Sequence, residues 1–410
     1  MILQLGKHYV SDFIKSDNDY TNRTKYSLDL EIDQSIGAVR LVEVAPSDMM
    51  WGKYWYRSGI NSTMTKELGN IVQEIISRIK YSDGDIWLDI ACNDGTLLKQ
   101  VPYSFIKLGI DPADDTFYSE SCKVANVVKD YFSYDAYKKL SANKKAKVIT
   151  TIAMFYDLIN PHPFLEDINK SLDDNGVWVL QSSYTPLMLQ QLAFDNICHE
   201  HAYYYSLSSL KKLFHQHDLK IVDCSLNDVN GGSFRVYVQK NIAKSNSFGT
   251  LPLRDVCNFR IESILEYEKS KADITDERLW EKFSKDIQTL KNQTVGFITE
   301  EKKKGKIICG YGASTKGNTL LQYFGLNNTL IDAIAERSPY KFGLKTIGTN
   351  IPILSEEDVR NMKPDYILIL PWHFINEFIE REKDYLLSGG KFIVPCPKFT
   401  IVDNSVFSKP

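Results

Sequence analysis

The segment Asn196 to Ser206 reads NICHEHAYYYS, placing two of the chain's seven histidines on either side of Glu200, with Cys198 before them and three tyrosines after. Three chemistries fit these residue types. Cys198, His199 and His201 are potential metal ligands, but a structural metal site takes four ligands and no complementary pair lies nearby. An imidazole, with a reference pKa of about 6.5, suits base work at neutral pH, and an adjacent carboxylate can fix its tautomer and favour the imidazolium that forms. The third reading is a polar piece of core, since the tyrosines suggest a crowded interior. His199 taken alone fits a structural role better than a catalytic one.

A second group of chemically useful residues follows an apolar run in DIACNDGTLLKQV. In doubly wound sheets, ligands lie over such a turn at the carboxyl ends of the strands. Gly95 is expected to let the backbone approach a ligand, with a helix N-terminus behind it. Asp111, about 20 residues beyond the turn, can accept hydrogen bonds from two ribose hydroxyls. The usual glycine triplet is reduced to one, with Ala91 and Asn93 where glycines might stand. That disfavours a pyrophosphate and leaves room for a ligand without phosphates, such as S-adenosylmethionine (SAM). Asp89 and Asp94 would then face its ammonium or sulfonium charge. Asn93 and Asp130 complete the expected cofactor set.

The stretch GYGASTKGN (310–318) forms a second turn of this kind. It is not a P-loop, because Lys316 precedes Gly317 where that motif needs Gly-Lys-Ser/Thr. Backbone N–H groups with Ser314, Thr315, Lys316 and Asn318 can still hold a phosphate or pyrophosphate. Glu336, ending the next strand, is expected at a ribose or base. The alternative is that these glycines serve only helix–strand packing.

The elements that must position these residues alternate strand, turn and helix. Strands are expected at 85–91, 105–111, 147–153, 176–183 and 234–240. Before them, Ser62 or Thr63 is expected to cap a helix whose apolar face carries Leu68, Ile71, Val72, Ile75, Ile76 and Ile79. A charged helical connector spans 255–304. A second alternating unit follows, with strands in KIICGYG, LIDAIAE, PDYILIL and GGKFIVP and a long amphipathic helix at 373–388. The fold class is therefore α/β, two Rossmann-like doubly wound units behind a small N-terminal segment, with boundaries at 1–65, 66–245 and 246–410.

Composition narrows the rest. A chain of 410 residues, 43% hydrophobic and 25% charged with a net charge of -3, is ordinary globular protein with no pull toward nucleic acid. No run of roughly 18 apolar residues marks a membrane span. No secretory signal is evident, and seven scattered cysteines fit free thiols in a cytoplasmic setting.

The stretches YWYRSGIN (54–61), LDIACNDGTLL (88–98), AMFYDL (153–158), FDNICHEHAYYYSL (194–207), GGSFRVYV (231–238), GYGASTKGNTLLQYFG (310–325), LPWHF (370–374) and GGKFIVPCP (389–397) occur in order along the chain. Through them the sequence resembles the SAM-dependent C-methyltransferases that act on nucleotide-linked deoxyketosugars. The resemblance implies a three-part enzyme: a zinc-binding N-terminal segment, a SAM domain and a C-terminal Rossmann-like domain that helps hold the sugar nucleotide. No cysteine precedes Cys92, so a four-cysteine zinc site cannot form here.

The resemblance further implies that His201 removes a proton alpha to a ketone, with Glu200 assisting. It implies a substrate of the NDP-4-keto-6-deoxysugar type, methylated at C3. A tyrosine often stands where Cys198 does here, and Tyr203, Tyr204 or Tyr205 is expected to replace it, Tyr204 being retained as a substrate contact. Tyr156 falls near a position where relatives can carry histidine, and its phenol can bond the keto oxygen. Tyr54 and Tyr56 belong to an aromatic strip that closes over SAM or sugar. Two alternatives stay open: an NAD(P)-dependent oxidoreductase, and a non-catalytic sugar-nucleotide binder.

Overall fold

A computed structural model gives the fold and describes residues 1–16, 19, 23–46, 49–50, 56–243 and 251–408. The chain opens with β1 (Leu3–Tyr9), β2 (Phe13–Ile14), β3 (Lys25–Asp33) and β4 (Ala38–Leu41). Alternation sets one apolar face, on which Leu3, Leu5, Leu28, Leu30, Val39 and Leu41 are buried. This face shares one continuous core with Ile308, Leu320, Phe324 and Ile334 of the C-terminal unit. Apolar packing against a neighbour thus stands where the resemblance implied zinc.

The helix Ser62–Arg78 is capped by Asn61, whose Oδ1 accepts from the Thr63 and Met64 amides at 2.9 and 3.3 Å. The cap is one residue earlier than expected, because Asn61 is extended and offers a carbonyl oxygen to both amides. Met64, Leu68, Ile71, Val72 and Ile75 form its buried face. On the flank, Glu67 pairs with Arg235 at 2.7 Å, and Arg78 bonds Asp223.

The central sheet comprises β5 (Ile86–Ile90), β6 (Ile106–Ile110), β7 (Asn126–Val128), β8 (Ala146–Ile152) and β9 (Leu172–Ser183), all parallel. After β10 (Tyr203–Tyr204), β11 (Leu219–Asn227) and β12 (Ser233–Lys240) add an antiparallel edge, in the order β11-β12-β9-β8-β5-β6-β7. The strand order reverses between β5 and β8, so a crevice opens at their carboxyl ends. β10 leaves this sheet and pairs with β4, Tyr203 opposite Arg40 and Tyr204 opposite Val39. The tyrosines after the histidine motif therefore complete the N-terminal sheet.

Helices Leu251–Lys271 and Glu277–Lys303 lead to β13 (Ile308–Tyr311), β14 (Ile334–Glu336), β15 (Lys345–Thr346), β16 (Ile353–Ser355), β17 (Tyr366–Ile369), β18 (Lys391–Val394) and β19 (Thr400–Val402). The second sheet runs β16-β14-β13-β17-β18-β19, parallel except for β19. β15 pairs with β2, a second tie to the N-terminus. The helix expected at 373–388 is broken into Ile375–Arg381 and Lys383–Leu387. The break falls at Glu382, whose buried carboxylate accepts from the Tyr311 hydroxyl at 2.9 Å and from Arg360.

Candidate active site

At the carboxyl end of β5, Ala91, Asn93 and Gly95 take left-handed conformations, with φ of +57°, +52° and +78°. These are the three positions where a glycine triplet would sit, so the turn keeps that backbone course with one glycine. The Asp111 carboxylate secures it, accepting from the Asn93 amide at 2.7 Å and the Ala113 amide at 2.8 Å. Residues 56–59 cover the turn. Asn93 Nδ2 donates to the Tyr56 carbonyl at 3.0 Å, the Ser58 amide donates to Asn93 Oδ1 at 3.1 Å, and the Gly59 amide donates to Asp94 Oδ2 at 2.9 Å.

Gly95 is also required by packing: a Cβ on it would lie 2.8 Å from Val124 Cγ2 and 3.0 Å from Ser121 Cα.

Asp89 lies buried within β5, its carboxylate accepting from Thr150 Oγ1 at 2.6 Å. Burial, with the Asp111 charge close by, raises its pKa to about 7. Burial, with Asp94 nearby, also raises Asp111, and burial followed by the charges of Asp89 and Asp111 raises the Cys92 thiol. Negative groups thus crowd one end of the crevice. Such a set suits a cationic ligand such as SAM and opposes a pyrophosphate. Asp130, two residues beyond the carboxyl end of β7, is partly exposed, paired with Lys139 at 3.4 Å and accepting from the Tyr131 amide.

The histidine motif hangs between this crevice and the N-terminal sheet. His201 Nδ1 is 2.7 Å from the Asn196 carbonyl, which can only accept, so Nδ1 carries the proton and Nε2 the lone pair. The tautomer is set by that carbonyl and not by Glu200, as the sequence had suggested. The Tyr156 ring lies over the His201 ring, centroids 4.2 Å apart. Burial first, then the Lys316 charge, lowers the His201 pKa to about 3, so its ring is neutral in the free protein.

Glu200 is drawn toward Thr315 and Cys198, whose hydrogen bonds oppose the upward push of burial on its pKa. Asp157 is buried beside it and raised by that burial and by the Glu200 charge. The sequence reading had passed over Asp157, although it directly follows Tyr156.

His199 points elsewhere, its Nε2 3.1 Å from the Tyr26 carbonyl on β3. Cys198, His199 and His201 therefore face different partners, and among the described residues no group of three or more such side chains is placed to share a metal ion. Tyr203 donates to Asp33 at 3.0 Å and stacks on Tyr205. Tyr204 is buried, and the groups that bear on its hydroxyl are Cys198, Glu200 and Asp157. Tyr56 is 45% exposed at the mouth, and Tyr54 lies outside the described residues.

The second turn is largely committed to structure. Ser314 Oγ accepts from the Gly317 amide at 3.0 Å, capping the helix Thr315–Phe324. The Thr315 carbonyl accepts from Ser11 Oγ at 2.9 Å, and buried Asn318 donates to the Asp12 carbonyl at 3.2 Å. Glu336 accepts from the Arg337 and Ser338 amides at 2.7 and 3.0 Å and lies 3.5 Å from Lys341. Its carboxylate thus caps its own loop at the carboxyl end of β14.

The Lys316 charge bears on Asp195, Cys198, His201 and His373. Asp195 in turn accepts from Trp372 Nε1 at 3.1 Å. Nearby, a cleft at the carboxyl ends of β8 and β9 is lined by Met64, Ala153, Tyr156, Gln181, Ser182 and Ser233. None of the last three stood out in the sequence, where they read as ordinary strand residues.

A neutral imidazole with a bare Nε2, a phenol over it and an anionic cofactor end suit proton removal beside transfer of a cationic group. Residues 61–223 match the methyltransferase-domain family and residues 228–397 the family of C-methyltransferase C-terminal domains. The two matches and the relative below make the chain a SAM-dependent methyltransferase similar to C-methyltransferases. This methyltransferase is 27% identical to C-methyltransferase NovU of Streptomyces niveus over 393 residues, 95% of this chain and 91% of that protein.

Solved structures also align with part of it. One is a SAM-dependent methyltransferase from Clostridium acetobutylicum (TM-score 0.34, 14% identity, 43% of this chain and 92% of that one). Another is the magnesium protoporphyrin IX methyltransferase of Synechocystis with bound SAH (TM-score 0.34, 11% identity, 44% and 88%). As a SAM-dependent methyltransferase, the chain does not take the nicotinamide-dependent alternative. No described helix of the methyltransferase is long and apolar enough to cross a membrane.

Proposed function

We propose that this methyltransferase acts on the carbon next to the ketone of a nucleoside-diphosphate 4-keto-6-deoxysugar, C3 being the carbon methylated. The observation that carries this reading is the state of His201: Nδ1 is held by the Asn196 carbonyl at 2.7 Å, and Nε2 keeps its lone pair beneath Tyr156. Carbon acids need a positioned base and a stabilised enolate, and the site offers both kinds of group.

Bound SAM supplies the methyl group as an electrophile on a positively charged sulfur. Asp89, Asn93, Asp94 and Asp111 are the residues that would hold it, through carboxylates and turn backbone at the end of β5. His201 Nε2 takes the proton from the substrate carbon. Tyr156 donates toward the keto oxygen as charge gathers there, and Glu200 favours the imidazolium. The electron pair on carbon would then form the new C–C bond to the methyl group while the C–S bond pair leaves with sulfur as the neutral thioether of S-adenosylhomocysteine, aided by the close approach of the two reactants. Residues of the 310–318 turn and Tyr56 line the approach for the rest of the sugar nucleotide.

The test is incubation with SAM and TDP-, UDP-, CDP- and GDP-linked 4-keto-6-deoxyhexoses, followed by mass spectrometry and carbon NMR of the product. One sugar should gain a single methyl carbon bonded to carbon. Methyl gain on oxygen or nitrogen, or on none of these sugars while SAM binds, would overturn the substrate class.

A further inference from the structure

We propose that the Ser182 hydroxyl binds a hydroxyl group of the sugar, at or next to the carbon that is methylated, and so selects hydroxylated ketosugars over their deoxy counterparts. The inference deepens the reading of a ketosugar substrate and rests on it. It starts from a polar atom that the fold leaves unbonded. Ser182 is 2% exposed, and its Oγ has no hydrogen-bond partner among the described residues. Burying a hydroxyl without a bond costs stability, so such an atom on a cleft wall points to a ligand.

The backbone gives this hydroxyl a fixed place. Ser182 lies near the carboxyl end of β9, a strand held between β8 and β12, and pairs with Phe234 of β12. Its neighbour Gln181 is anchored from two sides. Gln181 Oε1 accepts from Arg235 Nε at 3.0 Å and from Asn227 Nδ2 at 3.2 Å, and Nε2 donates to Glu67 Oε1 at 3.2 Å. The Ser233 hydroxyl is likewise engaged, donating to the Val229 carbonyl at 2.8 Å. Of Gln181, Ser182 and Ser233, it is therefore Ser182 whose side chain is left for a ligand.

The cleft also brings this atom to the reaction. Tyr156 forms another of its walls, and the Tyr156 ring lies over His201 with centroids 4.2 Å apart. A further wall is Met64, from the helix that follows the segment covering the cofactor turn. A sugar whose ketone meets Tyr156 presents the carbons beside that ketone to the same cleft. A serine hydroxyl both donates and accepts, so a sugar hydroxyl satisfies it in either sense. A CH₂ in that place seals it off without a bond, and enzymes discriminate strongly on such a difference.

The experiment measures kcat/KM of wild type and S182A on the 4-keto-6-deoxyhexose that the enzyme accepts and on its 2-deoxy and 3-deoxy analogues, with SAM affinity and thermal unfolding read alongside. A substrate hydroxyl deprived of its buried partner should slow turnover by about 10–100-fold. S182A should show that loss on the parent sugar and little or none on the analogue that lacks the bonded hydroxyl, while SAM binds as before. It should also unfold at or above the wild-type temperature, since the hydroxyl removed bonds nothing in the protein. Equal losses on the parent and both analogues, with a lower unfolding temperature, would make Ser182 a structural residue and overturn the proposal. Unchanged kcat/KM on the parent sugar would overturn it too, as would a wild type that turns over both deoxy analogues faster than the parent. Wild type that binds SAM but methylates no ketosugar removes the substrate reading, and this inference with it.

Discussion

Asp89 offers a test of the anionic cofactor end that needs no substrate. Its carboxylate is buried within β5, and its pKa rises from 3.8 to about 7, chiefly through burial, with the Asp111 charge adding and the Thr150 hydrogen bond opposing. The folded protein therefore holds this proton more tightly than the unfolded chain. The resulting stability is fully present below about pH 4 and is lost as pH rises through about 7. A shift of about three units corresponds to about 4 kcal/mol above that range, an upper bound that local relaxation brings to about 2 kcal/mol.

Asp89→Asn removes the titration while Oδ1 can still accept from Thr150. Unfolding curves should place the variant within about 1 kcal/mol of wild type at pH 5 and about 2 kcal/mol above it at pH 9. Calorimetry of SAM binding near pH 7, in two buffers of different ionisation enthalpy, should show proton release by wild type and none by the variant. A variant less stable than wild type at pH 9, together with no proton release by wild type, would mean that Asp89 is already ionised and the reasoning fails.

Gly95→Ala should cost about 2–4 kcal/mol, since φ is +78° and the new Cβ would meet Val124 and Ser121. Ala91→Gly, at φ +57°, should be neutral or stabilising by about 0.5 kcal/mol. Chemical denaturation reads both, and equal losses would contradict the account of the turn. Glu268→Gln should cost about 2–3 kcal/mol, because the buried carboxylate accepts from the Tyr184 hydroxyl and the Leu207 and Ser208 amides at 2.7–2.8 Å, and an NH₂ cannot. His199→Ala should lose about 1 kcal/mol and lower turnover by loosening the loop that carries His201. Wild-type turnover in that variant would show that the tie to Tyr26 does not position the base.

The local signals of the sequence were read well. Period-two and strand–turn–helix patterns put β5, β6, β8 and β9 within a few residues of their places, while the three-residue strand β7 is too short to show a period and went unmarked. What escaped depends on contacts between distant segments. Tyr203 and Tyr204 look like core residues, and only their register against Val39 and Arg40 reveals a strand of the N-terminal sheet. Glu336 sits where a ribose ligand is expected, and nothing in the sequence shows that it also caps two amides of its own loop. Asn196 carries no ionisable group, so nothing marked its carbonyl as the fixer of the His201 tautomer. The second turn drew attention as a phosphate cradle, while the ties of Ser11 to the Thr315 carbonyl and of Asn318 to the Asp12 carbonyl join segments 304 and 306 residues apart.

The most direct test of the central claim compares wild type and His201→Ala in deuterated water, with and without SAM, on whichever ketosugar the enzyme accepts. Wild type should exchange the proton next to the ketone without SAM and add one methyl at that carbon with it, while the variant does neither though it still binds SAM. Methylation by the alanine variant at a rate near that of wild type would contradict His201 as the base, and with it the account of the site.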